Sequence, residues 1–177
     1  IIDDGATRIG VESTVLDLSD PTAMPMILRP GAVTKEQIEA VIESPVAIDQ
    51  HLVKENETPK APGMKYKHYS PDTRVLMVRE GDWSTAVQWA KNKKIRVGVI
   101  ASPEISDQVR TDTAAVYMYN DNSVEAAAKG LFAGLRGLDE PTLGLDLIFV
   151  QVYPETGLGN AYMNRLKKAA GQNYFEK

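Results

Sequence analysis

The sequence predicts an α/β fold: a Rossmann-like parallel sheet with flanking helices over residues 72–177, preceded by a linker, 51–71, and an incomplete α+β unit, 1–50. Three observations predict it. In the later part, four short runs rich in Val, Ile, Leu and Tyr alternate with amphipathic helical patterns, and strands joined through helices run parallel by right-handed crossovers. Between the two parts, residues 49–72 contain Asn56, Pro59, Pro62, Gly63 and Pro71 with hardly any periodic apolar spacing, which is loop chemistry. The first fifty residues offer two or three strands and one short helix, too little to bury a core of their own.

In chain order, residues 13–18 and 26–29 read as strands. A helix follows Thr34, whose capping-box partner is Gln37, with Val33 and Ile38 spaced as a hydrophobic staple. A third short strand is expected at 46–49. Beyond the linker, strands are expected at 75–79, 95–100, 114–119 and 147–152. Asp82 precedes a helix bearing Trp83, Ala86, Val87 and Ala90, with Lys91, Lys93 and Lys94 near the negative end of its dipole. Ser102-Pro103-Glu104 is a cap followed by proline at the first helical position. Asn122 with Glu125 resembles a capping box, and Val124, Ala127, Ala128, Leu131, Phe132, Leu135 and Leu138 recur at helical spacing behind it. The last helix, 158–170, repeats Leu158, Ala161, Tyr162, Leu166 and Ala169 and stops at Gly171.

Composition narrows the function. The 177 residues are 43% hydrophobic and 25% charged, an ordinary globular balance. Twenty Lys+Arg against 24 Asp+Glu leave a net charge of −4, so no overall basic field exists to hold nucleic acid through its phosphates alone. The absence of cysteine removes disulfides, thiolate metal sites and cysteine nucleophiles, and a cytoplasmic location is the default. No apolar run approaches the ~20 residues of a spanning helix, so no membrane partner is expected. The opening Ile1-Ile2-Asp3-Asp4 reads like the middle of a strand-and-loop pattern, which makes a piece of something longer the expectation.

Three stretches carry candidate chemistry. Glu12-Ser13-Thr14-Val15-Leu16-Asp17-Leu18 alternates hydroxyl and apolar residues, and from pattern alone a half-exposed strand in which Ser13 and Thr14 are merely tolerated is favoured over a binding role. Ile27-Leu28-Arg29-Pro30-Gly31 ends an apolar strand on a planar cation just before a helix N-terminus, a place suited to phosphate or carboxylate, or to a surface ion pair. In Pro62-Gly63-Met64-Lys65-Tyr66-Lys67-His68-Tyr69-Ser70-Pro71, cations and tyrosines interleave within a proline-framed segment. A spacer has no need of aromatics, so a ligand-covering or domain-docking role is favoured over a solvated linker, and one nucleotide suits the segment better than a single strand. Thr156-Gly157-Leu158-Gly159-Asn160 fits a phosphate turn or simply a tight strand-to-helix turn. No protein metal site, nucleophile elbow or Ser-His-Asp order stands out, and the catalytic residues themselves are unknown.

Taken in order and spacing, Glu12-Ser13-Thr14-Val15, Leu28-Arg29-Pro30-Gly31 and the Pro62-to-Pro71 segment resemble the threonylcarbamoyl-AMP synthases of the two-domain type. So do Gly157-Leu158-Gly159, Asn164-Arg165-Leu166 and Ala169-Ala170 near the end. The resemblance implies a C-terminal remnant of a YrdC-like catalytic domain at 1–50, the linker, and the Rossmann-like domain at 72–177. It also implies a nucleotidyltransferase that joins L-threonine, bicarbonate and ATP into threonylcarbamoyl-AMP with release of pyrophosphate, using Mg²⁺ for which no protein ligands are assigned. Such enzymes feed the tRNA-modification machinery that forms N6-threonylcarbamoyladenosine at position 37. By the same resemblance Ser13 contacts L-threonine, Arg29 contacts ATP, and Tyr66 or Tyr69 covers the nucleotide. The chain by itself is expected to be inactive. The competing expectation is a self-sufficient α/β module that binds a nucleotide or partner without catalysis; direct tRNA binding is disfavoured by charge.

Overall fold

The computed structural model describes residue 5 and residues 7–49 and 70–176. Its larger part is a four-stranded parallel sheet built from β4 (Arg74–Val78), β5 (Val97–Ala101), β6 (Ala115–Met118) and β7 (Leu147–Gln151). Each strand follows the apolar run expected of it, within two residues at either end. The order across the sheet is β4-β7-β5-β6, so the last strand inserts between the first two. Outside β4, residues 173–175 add a further parallel rung: Met77 donates to the Asn173 carbonyl at 3.0 Å, and Phe175 donates to the Met77 carbonyl at 2.8 Å.

Strand side chains alternate between two cores, as the pleat requires. Leu76, Val78, Val97, Val99 and Phe149 face α2 (Trp83–Asn92) and α3 (Pro103–Val109), while Met77, Ile100, Ile148 and Val150 face α4 (Val124–Leu138) and α5 (Gly159–Ala169). The result is a helix–sheet–helix sandwich. The α4 stripe read from the sequence is the buried one: Ala127, Ala128, Leu131, Leu135 and Leu138 are each at most 5% exposed.

Three caps differ from expectation. The N-cap of α4 is Ser123, whose hydroxyl accepts the Ala126 N–H at 3.1 Å; the Asn122 amide oxygen instead accepts the Glu104 N–H at 3.4 Å, because it faces the neighbouring α3. Asp82 and Ser102 stand at the N-cap positions of α2 and α3 without capping hydrogen bonds. A one-turn 3₁₀ segment, Glu80–Asp82, leads directly into α2, and at α3 the Ser102 N–H is taken up by Gln151 Oε1 at 2.7 Å.

The smaller part is a three-stranded sheet: β1 (Val15–Asp17) runs antiparallel to β2 (Met26–Arg29), which runs parallel to β3 (Ala47–Ile48). Between β2 and β3 lies α1 (Lys35–Ile42) with the full Thr34–Gln37 capping box, though Val33 of the expected staple stays half exposed. The helix buries none of its residues, and Leu18, Met24 and Val41 are 61%, 57% and 82% exposed. Among the described residues, Leu28 with Val15 and Met26 against it forms a cluster there. Ile27 and Val46 are buried as well, while the exposed Leu18, Met24 and Val41 leave apolar surface uncovered. Among the described residues, no helix is long and apolar enough to cross a membrane.

Candidate functional site

The candidate site lies where the two parts meet. Antiparallel pairing sets Val15 opposite Arg29, which brings Ser13 within reach of the arginine. Arg29 donates from Nε to the Ser13 carbonyl and from Nη2 to Ser13 Oγ, both at 3.1 Å. The Thr14 hydroxyl donates to the Val33 carbonyl at 2.6 Å, tying the strand to the start of α1. Gly31 permits this closeness, since a Cβ there would stand 2.3 Å from Thr14 N and 2.4 Å from Glu12 O. Two motifs that sequence alone could only set side by side are therefore one structure, with Ser13 exposed and Arg29 half-buried.

Helix α5 supplies the floor. Arg165, 6% exposed, donates from Nε to Glu12 Oε2 at 2.8 Å and pairs through Nη2 with the same oxygen. Its Nη1 donates to the Pro30 carbonyl and to the Ala161 carbonyl one turn back. Lys168, one turn on, completes a group of three cations around one carboxylate. Burial lowers the Lys168 pKa, with the charges of Arg165 and Arg29 adding and Glu12 opposing. Burial works to raise Glu12, but the hydrogen bond and charge of Arg165 outweigh it, aided by Arg29, and hold the carboxyl below its ordinary 4.5. A surplus of positive charge beside a hydroxyl is suited to an anionic ligand with a small polar part.

The depressed Glu12 value carries a pH signature. A carboxyl lowered on folding adds stability above its unfolded pKa, and that contribution is lost as pH falls through the lowered folded value. Wild type is therefore expected to melt above Glu12→Gln at neutral pH, with the gap closing progressively below pH 4.5. A gap independent of pH in thermal melts would refute the coupling.

The other predicted residues fall as follows. Tyr66 and Tyr69 lie outside the described residues, as does His68. Residues 70–73 are anchored to the larger part: Ser70 Oγ donates to the Lys168 carbonyl at 3.4 Å, and the Asp72 and Thr73 N–H groups donate to the Asp139 carboxylate at 3.0 and 2.8 Å. The Gly157 N–H faces the Glu36 carboxylate at 3.3 Å, and a Cβ on Gly159 would stand 1.9 Å from the Pro154 carbonyl oxygen, so these glycines serve the turn and the junction. Sequence reading assigned no role to Glu12 or Arg165. The usable signal was an arginine at i+4 from Ala161 on the buried stripe of α5, because an arginine there requires a partner.

A second concavity lies on the far side of α4. It has a volume of about 470 Å³ and is lined by Thr7, Gly10, Tyr117, Asn120, Lys129 and Arg136 among others. Behind it, the Tyr119 and Tyr162 hydroxyls meet at 3.0 Å, and Tyr162 donates to the Gln151 carbonyl at 2.5 Å. Burial raises the pKa of both phenols, which keeps them neutral.

Fold and site together define an α/β domain locked onto a small three-stranded sheet whose Ser13 and Arg29 form an anion-suited ledge. Residues 33–171 match the family profile described as threonylcarbamoyl-AMP synthase, C-terminal domain, and the chain belongs to that family. The threonylcarbamoyl-AMP synthase of Bacillus subtilis is 43% identical over 97% of this chain, and that of Pyrococcus abyssi 41% over 97%. The chain spans about half the length of these relatives, 48% and 49% respectively. Among solved structures, P. abyssi Sua5 complexed with L-threonine superposes with a TM-score of 0.82 at 38% identity, covering 99% of this chain and 50% of that one. A variant of P. abyssi Sua5, with a histidine and the adjacent tyrosine changed to alanine, gives 0.80 at 37%, covering 98% and 48%. The four-stranded parallel sheet with flanking helices is the fold that these structures share with the chain.

Proposed function

We propose that this chain is the C-terminal part of an ATP-dependent L-threonylcarbamoyladenylate synthase, a nucleotidyltransferase. The reaction converts L-threonine, bicarbonate and ATP to threonylcarbamoyl-AMP, pyrophosphate and water, and its product serves the machinery that modifies adenosine 37 of tRNA. One observation carries the reading: Arg29 holds both the carbonyl and the hydroxyl of Ser13, so the residues implied for ATP and for threonine form a single ledge. Family membership and the threonine complex of the P. abyssi relative support it.

In this reading 1–50 is the end of the catalytic domain, 51–71 the linker and 72–177 the accessory domain. The amine of threonine, carboxylated by bicarbonate, attacks the α-phosphorus of ATP through its new carboxylate, and pyrophosphate leaves. Ser13 orients the threonine, Arg29 offsets negative charge at the phosphates, and Tyr66 or Tyr69 covers the nucleotide and excludes water. His68-Tyr69 is the one His-Tyr pair in the sequence, and a variant of the P. abyssi relative with a His-Tyr pair replaced supports its place in this reading. Catalysis is then positioning and electrostatics rather than a covalent nucleophile. Mg²⁺ would neutralise phosphate charge. Among the described residues no group of three His, Asp or Glu side chains stands ready to hold it, and no step here is routed through it.

Titrating ATP, with and without L-threonine and Mg²⁺, into this chain and into the natural-length protein tests the reading. Only the longer protein is expected to bind, with threonine tightening ATP, and only it should release pyrophosphate. The cavity of about 470 Å³ favours a second reading, a nucleotide-binding module without chemistry. Nucleotide binding by the short chain alone, insensitive to threonine, would establish that reading and overturn the first.

A further inference from the structure

We infer that Arg165 is a positioning residue for the substrate site, and that through it the C-terminal domain is a structural component of that site rather than an appendage. The inference rests on the synthase reading, but its geometry stands on its own. The residue immediately before Ser13 is Glu12, and the residue immediately after Arg29 is Pro30. One guanidinium holds both: Nε and Nη2 reach the Glu12 carboxylate, and Nη1 reaches the Pro30 carbonyl. Arg29 closes the ring by bonding Ser13. Three segments far apart in sequence, 12–13, 29–30 and 165, thus form one loop of hydrogen bonds.

Arginine is the residue fitted to this task. Its planar fork presents donors in fixed directions, so it can set the distance between a carboxylate and a carbonyl, whereas lysine offers a single point charge. Arg165 is 6% exposed and makes a fourth contact to the Ala161 carbonyl of its own helix, so its head is held on the α5 side as well. Among the described residues the smaller sheet buries Ile27, Leu28 and Val46 but only partly covers Val15 of β1, so this fork helps to govern where Ser13 and Arg29 stand. It touches neither substrate in the proposed reaction and acts through its neighbours.

The test uses the natural-length protein carrying Arg165→Gln, Arg165→Lys or Glu12→Gln, with Lys167→Ala as the control. Lys167 sits on the same helix and pairs with Glu155 at 2.5 Å, away from the loop of bonds. Titration of L-threonine in the presence of ATP, steady-state kinetics and thermal melts are read together. Both Arg165 variants are expected to weaken threonine binding at least tenfold and raise its KM. The kcat at saturating substrate should fall less than the KM rises, and the melting transition of the larger sheet should remain. Failure of lysine to rescue would identify the fork rather than the charge as the active feature. Glu12→Gln keeps shape and an acceptor but loses the ion pair, and a several-fold loss is expected; it also decides the matter should Arg165 variants not fold. The control should match wild type. Folded Arg165→Gln or Glu12→Gln protein with wild-type threonine affinity would overturn the inference alone. A natural-length wild type that binds no threonine would overturn the synthase reading and this inference with it.

Discussion

Gly31→Ala is expected to disable the site and to destabilise the smaller sheet by about 3 kcal/mol, the upper end of ordinary overpacking. The new methyl would stand 2.3 Å from Thr14 N and 2.4 Å from both Glu12 O and Ser13 C. All three are backbone atoms of the segment that leads into β1, so no side chain can turn aside to make room. Relief requires residues 29–31 and the 12–14 segment to separate, which lengthens the Arg29–Ser13 bonds and moves Pro30 away from Arg165. Threonine binding by the natural-length protein should fall by more than tenfold. Gly137→Ala provides the contrast: that exposed glycine near the end of α4 has nothing within 4 Å of its added methyl, and relief of glycine's poor helix propensity should stabilise by up to about 1 kcal/mol. Comparable melting curves and threonine affinities for the two variants would refute the packing account.

The same residues show what a sequence does and does not disclose. The strands of the larger sheet were legible because each is a short, mostly apolar run of Val, Ile, Leu, Met and aromatic residues, and α4 because its stripe repeats at i, i+3 and i+4 over fifteen residues. The order β4-β7-β5-β6 was not, since periodicity reports that a strand is buried and not which neighbour it pairs with. Nor was the rung at 173–175, whose pairing is fixed by backbone bonds to Met77. The shift of the α4 cap from Asn122 to Ser123 has a similar cause: two adjacent residues can both cap, and a tertiary partner, the Glu104 N–H, takes one of them.

At the site, Arg29 was legible as a cation before a helix, and Ser13 as a hydroxyl in a strand. Their contact spans sixteen residues, and that of Arg165 with Glu12 spans 153, distances over which local pattern carries no information. The family resemblance supplied the grouping that spacing could not. It gave Arg165 no role, because a motif names residues without stating which of them touch.

Phe149→Ala is expected to be the most destabilising single change in the larger sheet, at about 3–5 kcal/mol against the 5–15 kcal/mol of a typical domain. Phe149 is fully buried on β7, between β4 and β5, and its ring meets Phe175 edge-on with centroids 5.9 Å apart. Truncation leaves a void between α2, α3 and the sheet, and removes one of the two rings that hold Phe175, the other being Trp89 at 5.7 Å. The C-terminal rung on β4 should fray with it. Among its described residues the smaller sheet buries Ile27, Val46 and the Leu28 cluster, and it leans on α5 through Arg165, so loss of the larger part is expected to loosen it. Urea unfolding followed by tryptophan fluorescence reports the larger part alone, since both tryptophans, Trp83 and Trp89, lie on α2. Amide exchange in β2 reports the smaller part. In Phe149→Ala protein the fluorescence midpoint should drop and β2 protection should fall in parallel. Protection of β2 that survives the loss of the larger sheet would mean that the first fifty residues carry a core of their own, and the dependence of the site on the C-terminal domain would be lost.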